Sequence, residues 1–265
     1  MSGPFSARSS FFQSSPFSKA PLRTGIPLRW YRSGPGRDFH RTHLSAKRAA
    51  WGIIGINAAV FCAWTYASNH KDRRLVQELY EKATISWKNV RAGRYYTLVT
   101  SAFSHQDLRH FVFNMFALHA FATVASTVPG LGALHIVALS IGSAIAGSAS
   151  FLYHQHSIGA SSSRSAWGTQ TINSALGASG TVMGLGAAAT CLQPFSWMLV
   201  MGVVPMPLWA LTLLYAGVDI WYLDSGSRIG HAAHLGGSAF GLLYYFAGMR
   251  GFGGVWYMLG RGLRR

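Results

Sequence analysis

A serine and a histidine in otherwise apolar parts of the sequence are of the types that carry out nucleophilic hydrolysis. Ser179 lies in a Gly-Ala-Ser-Gly motif, and His234 lies in a His-Ala-Ala-His-Leu-Gly-Gly run. A serine hydroxyl becomes a nucleophile when a neighbouring histidine takes its proton. Because no carboxylate lies within the apolar segments delimited below, the pair predicts a Ser-His dyad, with the histidine oriented by packing or by an aromatic neighbour.

A second polar pair precedes these residues. His110 and Asn114 are four residues apart, so on a helix both side chains lie on one face. Both side chains donate hydrogen bonds, as groups that stabilise an oxyanion must. If Ser179 opens a helix, its backbone N–H also points toward developing negative charge. We therefore predict that His110 and Asn114 serve an oxyanion site.

Small residues recur beside the candidate nucleophile and base. Gly177 opens the serine motif, Gly180 and Gly184 are four residues apart, and Gly237 and Gly241 repeat that spacing after His234. Stripes of this kind let two membrane helices approach backbone to backbone. The spacing predicts that the helices carrying Ser179 and His234 pack closely.

Two further polar residues lie near His234. His231 precedes it by three residues, a spacing found in metal sites. No third histidine, cysteine or carboxylate has a suitable spacing in the sequence, so we expect no metal and no cofactor. Asp219, near the end of the fifth apolar segment, is expected to be an interfacial residue or a partner of Arg228.

The composition indicates which elements position these residues. Half of the 265 residues are hydrophobic and only 11% are charged, against about 25% charged residues in a soluble domain. Six apolar segments approach the length of about 20 residues that spans a bilayer. They run from Trp51 to Ser68, His110 to Val128, Leu131 to Tyr153, Leu176 to Leu192, Phe195 to Val218, and His231 to Met249. Since backbone polar groups in lipid must pair within the segment, we predict an all-α, polytopic bundle of six transmembrane helices.

The net charge of +16 raises the alternative of a nucleic-acid partner. The positions of the basic residues in the sequence argue against that alternative. Nine basic residues and one acidic residue precede Trp51, in a segment rich in Ser and Phe. That composition is typical of a mitochondrial presequence, or of a disordered basic tail. We therefore predict a presequence over residues 1–47, a membrane domain over 48–250 and a short basic tail over 251–265. The two cysteines do not imply a disulfide framework.

Together these motifs resemble the rhomboid family of intramembrane serine proteases. The likeness rests on the serine motif, the His234-x-x-Gly237-x-x-x-Gly241 pattern and the His110-x-x-x-Asn114 pair, in that family's order. His105 and the stretch Gly93-Arg94-Tyr95 add to it. The likeness extends over roughly Trp51 to Met249.

The resemblance implies roles for these residues. Ser179 would be the nucleophile and His234 the general base, while His110, Asn114 and the Ser179 backbone N–H would line the oxyanion hole. The residues around His234 and the basic N-terminal segment are most similar to those of the mitochondrial, presenilin-associated branch. Family members often have an aromatic residue four positions after the serine, where this sequence has Met183. Mitochondrial members commonly add a seventh helix before the core, and no apolar run before Trp51 supplies one.

The function expected from the sequence is intramembrane cleavage of other membrane proteins. The partners would be single-span substrates of the mitochondrial inner membrane and the bilayer itself, with no nucleic acid. One alternative is a catalytically silent relative that binds membrane proteins, although such a protein would be expected to lack the serine or the histidine. A transporter or channel is disfavoured by the absence of charges within the six segments.

Overall fold

The computed structural model describes residues 35–161, 174–200, 203–225 and 230–262, and within them the chain is mostly helical. The helices are α1 (Pro35–Asn69), α2 (Arg73–Lys82), α3 (Trp87–Arg91), α4 (Thr97–Thr100), α5 (Leu108–Ser126), α6 (Ala133–Ser161), α7 (Ser179–Leu192), α8 (Leu208–Trp221), α9 (His231–Tyr244) and α10 (Val255–Gly262). Two 3-10 turns, Ser101–Phe103 and Arg250–Phe252, and a π-helical turn, Tyr245–Met249, complete the helical structure. The expected helical architecture is therefore present.

Two of the described helices are long and apolar enough to cross a bilayer by themselves. They are Asp38–Asn69 within α1 and Ala133–Ser157 within α6. Ser179–Leu192 and Leu208–Trp221 are apolar but shorter. The number of six spans stays a prediction.

The first helix begins well before the first predicted span. It starts at Pro35, where the fixed φ of proline suits the first helical turn. Ala46 is fully buried, and the His43 ring lies 2.9 Å from the Ser126 carbonyl oxygen. The end of the segment assigned to the presequence thus packs against the helical domain, while residues 1–34 lie outside the described chain. The boundary at residue 47 stays a prediction.

The fifth predicted helix, from Phe195 to Val218, is wrong in its first half. Strands β1 (Trp197–Val200) and β2 (Val204–Pro207) form an antiparallel pair there, with Trp197 opposite Pro207. The prolines of β2 lack the N–H that a helix interior needs. Helix α8 consequently begins only at Leu208 and continues to Trp221, which places Asp219 inside the helix.

Helix α7 lies at the centre of the helical domain and contacts α5, α6, α8 and α9. Every residue of α7 is buried except Ser179, Met183 and Thr190. A helix that is apolar on all sides is expected to be surrounded by other helices. The segment that carries the candidate nucleophile is therefore held from several directions.

The connection between α1 and α5 is anchored by polar contacts. The Arg94 guanidinium lies 2.7 Å from the Glu81 carboxylate and 3.3 Å from the Asn89 amide oxygen. The buried Asn89 amide nitrogen donates to the carbonyl oxygens of Tyr80 and Thr84. These contacts fix the arginine of the Gly93-Arg94-Tyr95 stretch within its own loop.

Candidate active site

Ser179 is the first residue of α7 and is half-buried. The turn before it is held by two backbone hydrogen bonds. The Gly177 N–H donates to the Ser101 carbonyl oxygen at 2.9 Å, and the Ala178 N–H donates to His105 Nε2 at 3.2 Å. The position of the serine is therefore set by the segment that precedes α5 as well as by its own helix.

His105 acts as a buried acceptor for this turn. Its side chain is fully buried, and burial lowers its pKa to about 3, with the nearby His110 contributing. The ring is therefore neutral, so Nε2 accepts the Ala178 N–H and the proton lies on Nδ1. His105 is part of the resemblance to rhomboids, and its hydrogen bond to Ala178 fixes the serine motif.

Gly177 lies where the serine motif meets α5. Its φ is +129°, a conformation that strains any residue with a side chain. A Cβ at this position would lie 2.6 Å from Cε1 of His110. The turn therefore requires glycine for its backbone angle and for the space beside the imidazole.

Gly177→Ala tests this requirement. The substitution should destabilise the protein by about 1–3 kcal/mol, because backbone strain at such a position is of that order. The hydrolytic activity expected from the sequence should fall as well, since the turn positions Ser179 and borders the His110 ring. Thermal unfolding and substrate cleavage are measured beside Gly52→Ala on α1, where a Cβ meets nothing within 4 Å. Equal behaviour of the two variants would show that the turn tolerates a side chain.

Helices α7 and α9 touch through their glycines. A Cβ on Gly237 would lie 2.7 Å from the Gly180 carbonyl carbon, and a Cβ on Gly241 would lie 2.8 Å from that of Gly184. At the same crossing, the Ala233 carbonyl oxygen lies 3.2 Å from the position a Gly180 Cβ would occupy. Gly180 and Ala233 are the chain neighbours of Ser179 and His234, so each candidate catalytic residue is next in the chain to a residue of this crossing.

His234 is hydrogen-bonded to a carboxylate. Its Nδ1 lies 2.9 Å from Asp219 Oδ1, and Nδ1 of His231 lies 2.7 Å from the same oxygen. The side chains of Asp219, His231 and His234 are only 7%, 6% and 12% exposed. Asp219 is therefore buried and paired with these two histidines, its position at the membrane interface stays a prediction, and the other expected partner, Arg228, lies outside the described residues.

The sequence contained a signal for Asp219. The predicted fifth segment ended at Val218, one residue earlier, yet Ile220 and Trp221 continue the apolar pattern beyond the aspartate. An acidic residue surrounded by apolar neighbours in a helix is costly unless it is paired. The partners of Asp219 lie on α9, and the packing of α8 against α9 that brings them together cannot be read from the sequence.

The same three side chains are also close enough together to be candidate ligands of one metal ion. One atom from each of Asp219, His231 and His234 lies within 4.8 Å of the others. The sequence offered only the two histidines, and the structure adds the carboxylate as a third group. The N···O distances of 2.7 and 2.9 Å are those of charge-assisted hydrogen bonds, which account for the cluster.

One member of the predicted oxyanion pair borders the serine motif, and the other bonds to it. The His110 ring borders Gly177, and the buried Asn114 donates through Nδ2 to the His110 carbonyl oxygen at 2.9 Å. An Asn amide carries two N–H groups, so one remains for another acceptor. His110 and Asn114 are one turn apart on α5, as expected.

Met183 is four residues after Ser179 and is half-buried. It borders a cavity of about 10 Å³ together with Phe121, Tyr215 and Ser238. The restraint on the His234 ring that the structure shows is instead the contact with Asp219.

Comparison with known proteins gives one family. A family model described as the rhomboid domain matches residues 92–251, which is more than half of the chain. The RHOMBOID-like protein 12, mitochondrial, of Arabidopsis thaliana is 32% identical over 201 residues, covering 74% of this chain and 57% of that protein. Rhomboid protein 1, mitochondrial, of Saccharomyces cerevisiae is 33% identical over 215 residues, covering 79% of this chain and 55% of that protein.

A third relative is the presenilin-associated rhomboid-like protein, mitochondrial, of Rattus norvegicus. It is 29% identical over 206 residues, covering 75% of this chain and 48% of the relative. The chain thus spans about half the length of the curated relatives it matches. The match to the family model and these likenesses show that the chain belongs to the rhomboid family, beside its mitochondrial members.

Proposed function

We propose that the protein is an intramembrane serine endopeptidase in which Ser179 is the nucleophile and His234 the general base. The observation that carries this proposal is the glycine crossing of α7 and α9. Gly180 and Ala233 lie against each other there, and each is the chain neighbour of a proposed catalytic residue, Ser179 at the start of α7 and His234 in α9. Membership of the rhomboid family supports the same assignment.

The reaction begins with attack of Ser179 Oγ on the scissile carbonyl carbon. As the C–O bond forms, the hydroxyl proton passes to Nε2 of His234. The two side chains are not hydrogen-bonded to each other in the described chain, and contacts of this kind commonly tighten when substrate is bound. The carbonyl oxygen becomes an oxyanion, stabilised by the Ser179 backbone N–H, His110 and Asn114.

The tetrahedral intermediate then collapses and the C–N bond breaks. The His234 imidazolium gives its proton to the leaving amine, which leaves an acyl ester on Ser179. Water attacks this ester as His234 takes a proton from the water. The bond from Ser179 Oγ to the acyl carbon then breaks, His234 returns the proton to Oγ, and the substrate leaves with a new carboxylic acid. No cofactor takes part in these steps.

The proposed substrate class rests on a site that lies within the membrane. A peptide bond within a transmembrane helix is protected, because its carbonyl is hydrogen-bonded along the helix. The substrate must therefore unwind locally, which Gly or Pro near the cleavage site favours. We propose single-span proteins of the mitochondrial inner membrane as substrates and place the enzyme there as a six-span protein. The mitochondrial relatives and the apolar helices support this location.

Cleavage of a model substrate tests the proposal. Purified protein is reconstituted into liposomes with a single-span substrate that carries a Gly-rich segment, and Ser179→Ala is compared with wild type. Wild type should cleave and Ser179→Ala should not. The matched control is Ser157→Ala on α6, which removes an exposed serine bonded only to its own helix and should cleave like wild type.

The competing function is that of a catalytically silent membrane-protein-binding relative. Such a protein would bind the substrate without cleaving it, and Ser179→Ala would bind equally well. Substrate that remains intact with wild type while co-purifying with it would therefore favour the binding protein over the protease.

A further inference from the structure

An apolar groove lies between α6 and the connection from α1 to α5. It has a volume of about 300 Å³, and the atoms that line it are nearly all apolar. Ligand sites commonly have volumes of about 300–1,000 Å³. The lining includes Trp87, Val90 and Leu98 from the connection and Ala149, Tyr153 and His156 from α6. Neither proposed catalytic residue lines the groove, so it is separate from the candidate active site.

Both walls of the groove are held by hydrogen bonds. Trp87 Nε1 donates to the Leu152 carbonyl oxygen at 3.1 Å, and the Ser148 hydroxyl donates to the Leu98 carbonyl oxygen at 2.9 Å. Trp87 and Leu98 also pack against the buried cluster that contains Ile85. The groove is therefore already formed without a ligand, as small-molecule sites usually are.

The groove runs along α6 toward the end of its apolar span. Ala149 and His156 are seven residues apart, which corresponds to about 10 Å along a helix. The span ends at Ser157, one residue after His156, and Tyr153 is exposed between the two ends of the groove. Aromatic side chains of this kind settle at the membrane interface. In the proposed membrane position of α6, the His156 end therefore lies at the interface and the Ala149 end lies among acyl chains.

Positive charge is concentrated at the interfacial end. The Arg91 guanidinium carbon lies 5.8 Å from the centroid of the Trp87 ring, a cation–π contact that holds it beside the groove wall. The His156 ring lies 6.1 Å from the same Trp87 ring. Lys88 and Arg91 are exposed, and neither pairs with a carboxylate within residues 35–161, 174–200, 203–225 and 230–262. This end of the groove therefore favours an anionic group.

Carboxylates on the neighbouring elements already have partners. On α2, the Glu81 carboxylate lies 2.7 Å from the Arg94 guanidinium. After α8, Asp224 Oδ1 lies 2.9 Å from His154 Nε2 on α6. These carboxylates therefore leave the positive charge of α3 available to a ligand.

The dimensions of the groove favour an acyl chain over a protein segment. A volume of about 300 Å³ over a length of about 10 Å gives a cross-section of about 30 Å². A transmembrane helix of another protein is about 10–12 Å in diameter and is too wide for this space. A single acyl chain is narrow enough to lie in it.

We propose that this groove binds an anionic phospholipid. One acyl chain lies along α6 over Leu98 and Ala149, and the phosphate lies against Arg91 and His156. The apolar groove matches the chain, and the basic end matches the headgroup of a lipid with net negative charge. The inference does not depend on the proposed function, because the binding requires neither the serine nor the histidine of the candidate active site.

The groove is joined to the serine motif by backbone hydrogen bonds. Ile85, in the cluster beneath the groove, forms an isolated antiparallel bridge with Ala175, with N···O distances of 2.8 and 2.9 Å. Ala175 precedes Gly177 of the serine motif by two residues. A lipid in the groove therefore stabilises the segment that leads into this motif. The midpoint of thermal unfolding should rise by about 2–4 °C when phosphatidylglycerol is added to phosphatidylcholine vesicles.

Photo-crosslinking of the full chain tests the proposal. Wild type and Ser179→Ala are each reconstituted into phosphatidylcholine vesicles with a trace of lipid that carries a diazirine in one acyl chain. The probe lipid is phosphatidylglycerol in one sample and phosphatidylcholine in the other, and labelled peptides are identified by mass spectrometry. Relative to the exposed face of α1, groove residues should be labelled about 5-fold more by the phosphatidylglycerol probe.

Equal labelling of the groove by the two probes, or a groove that neither probe labels, would overturn the proposal. Labelling that is the same in wild type and Ser179→Ala keeps this result separate from the proposed function. If neither protein cleaves substrate but both show the expected labelling, only the proposed function fails.

Ala149→Trp tests whether the labelled site is this groove. Ala149 is exposed, so the larger side chain fills the space of the acyl chain without entering the core. Groove labelling should fall to the level of the α1 face. Ile141→Trp is the matched control, because it adds the same ring at an exposed position of α6 outside the lining, and it should label like wild type. Labelling of the groove that persists in Ala149→Trp would contradict the proposal.

Arg91→Gln separates the headgroup contact from the apolar contact. The side chain is exposed, so its charge is removed without disturbing the core. The phosphatidylglycerol probe should lose about 5-fold in groove labelling and then match the phosphatidylcholine probe. Arg74→Gln on α2, at a side chain that is 91% exposed, should keep the wild-type preference. An undiminished preference for phosphatidylglycerol in Arg91→Gln would overturn the assigned headgroup site.

Discussion

Gly237→Ala should destabilise the protein and remove most of its activity. The added methyl group would lie 2.7 Å from the carbonyl carbon of Gly180, and this neighbour is backbone that cannot rotate away. The helices must therefore separate, at a cost of about 1–3 kcal/mol for an overpacked contact. A displacement of about 1 Å at the catalytic residues can lower the rate about 10²-fold.

The measurement is the midpoint of thermal unfolding, followed by cleavage at a temperature where the variant is folded. Gly52→Ala is the control, because a Cβ there contacts nothing within 4 Å. It should match or slightly exceed wild-type stability, since alanine is the better helix former. If Gly237→Ala unfolds like this control and cleaves normally, the close crossing of α7 and α9 does not position the site.

Removing His234 should lower kcat by several orders of magnitude. In a serine protease the nucleophile and base act as a unit, so either loss alone costs about 10⁶-fold and the double loss costs little more. We therefore expect His234→Ala and Ser179→Ala each to reduce cleavage to the background rate. Kinetics of the two single variants and the double variant provide the comparison.

The control for this series is His154→Ala at the exposed His154–Asp224 pair, which should cleave at the wild-type rate. Substantial activity in His234→Ala would show that another group deprotonates the serine. A double variant far slower than either single variant would indicate that the two residues contribute independently.

The sequence identified the parts of the site that lie in local motifs. Ser179, His234 and the glycines four residues apart are recognisable because a helix repeats its faces at a fixed spacing, and α7 and α9 use that spacing for their crossing. The end of the site-bearing helix was also predictable, since α7 ends at Leu192 as expected, although it begins at Ser179 and not at Leu176.

The parts that were missed depend on contacts between distant segments or on ambiguous apolar runs. The β1–β2 hairpin is not distinguishable from helix by pattern, because a short apolar stretch fits a strand and a buried helix equally well. The pairing of Asp219 is not readable from the sequence, because its partners lie 12 and 15 residues farther along the chain, on another helix. The role of His105 required knowing that the loop before α5 folds back onto Ala178.

The central claim is that Ser179 is a nucleophile activated by His234, and covalent labelling tests it most directly. Reconstituted wild type is treated with a fluorophosphonate and the modified residue is identified by mass spectrometry of its peptides. The label should be on Ser179, and it should be absent from Ser179→Ala and strongly reduced in His234→Ala. A label on another residue, or equal labelling of all three proteins, would contradict the account.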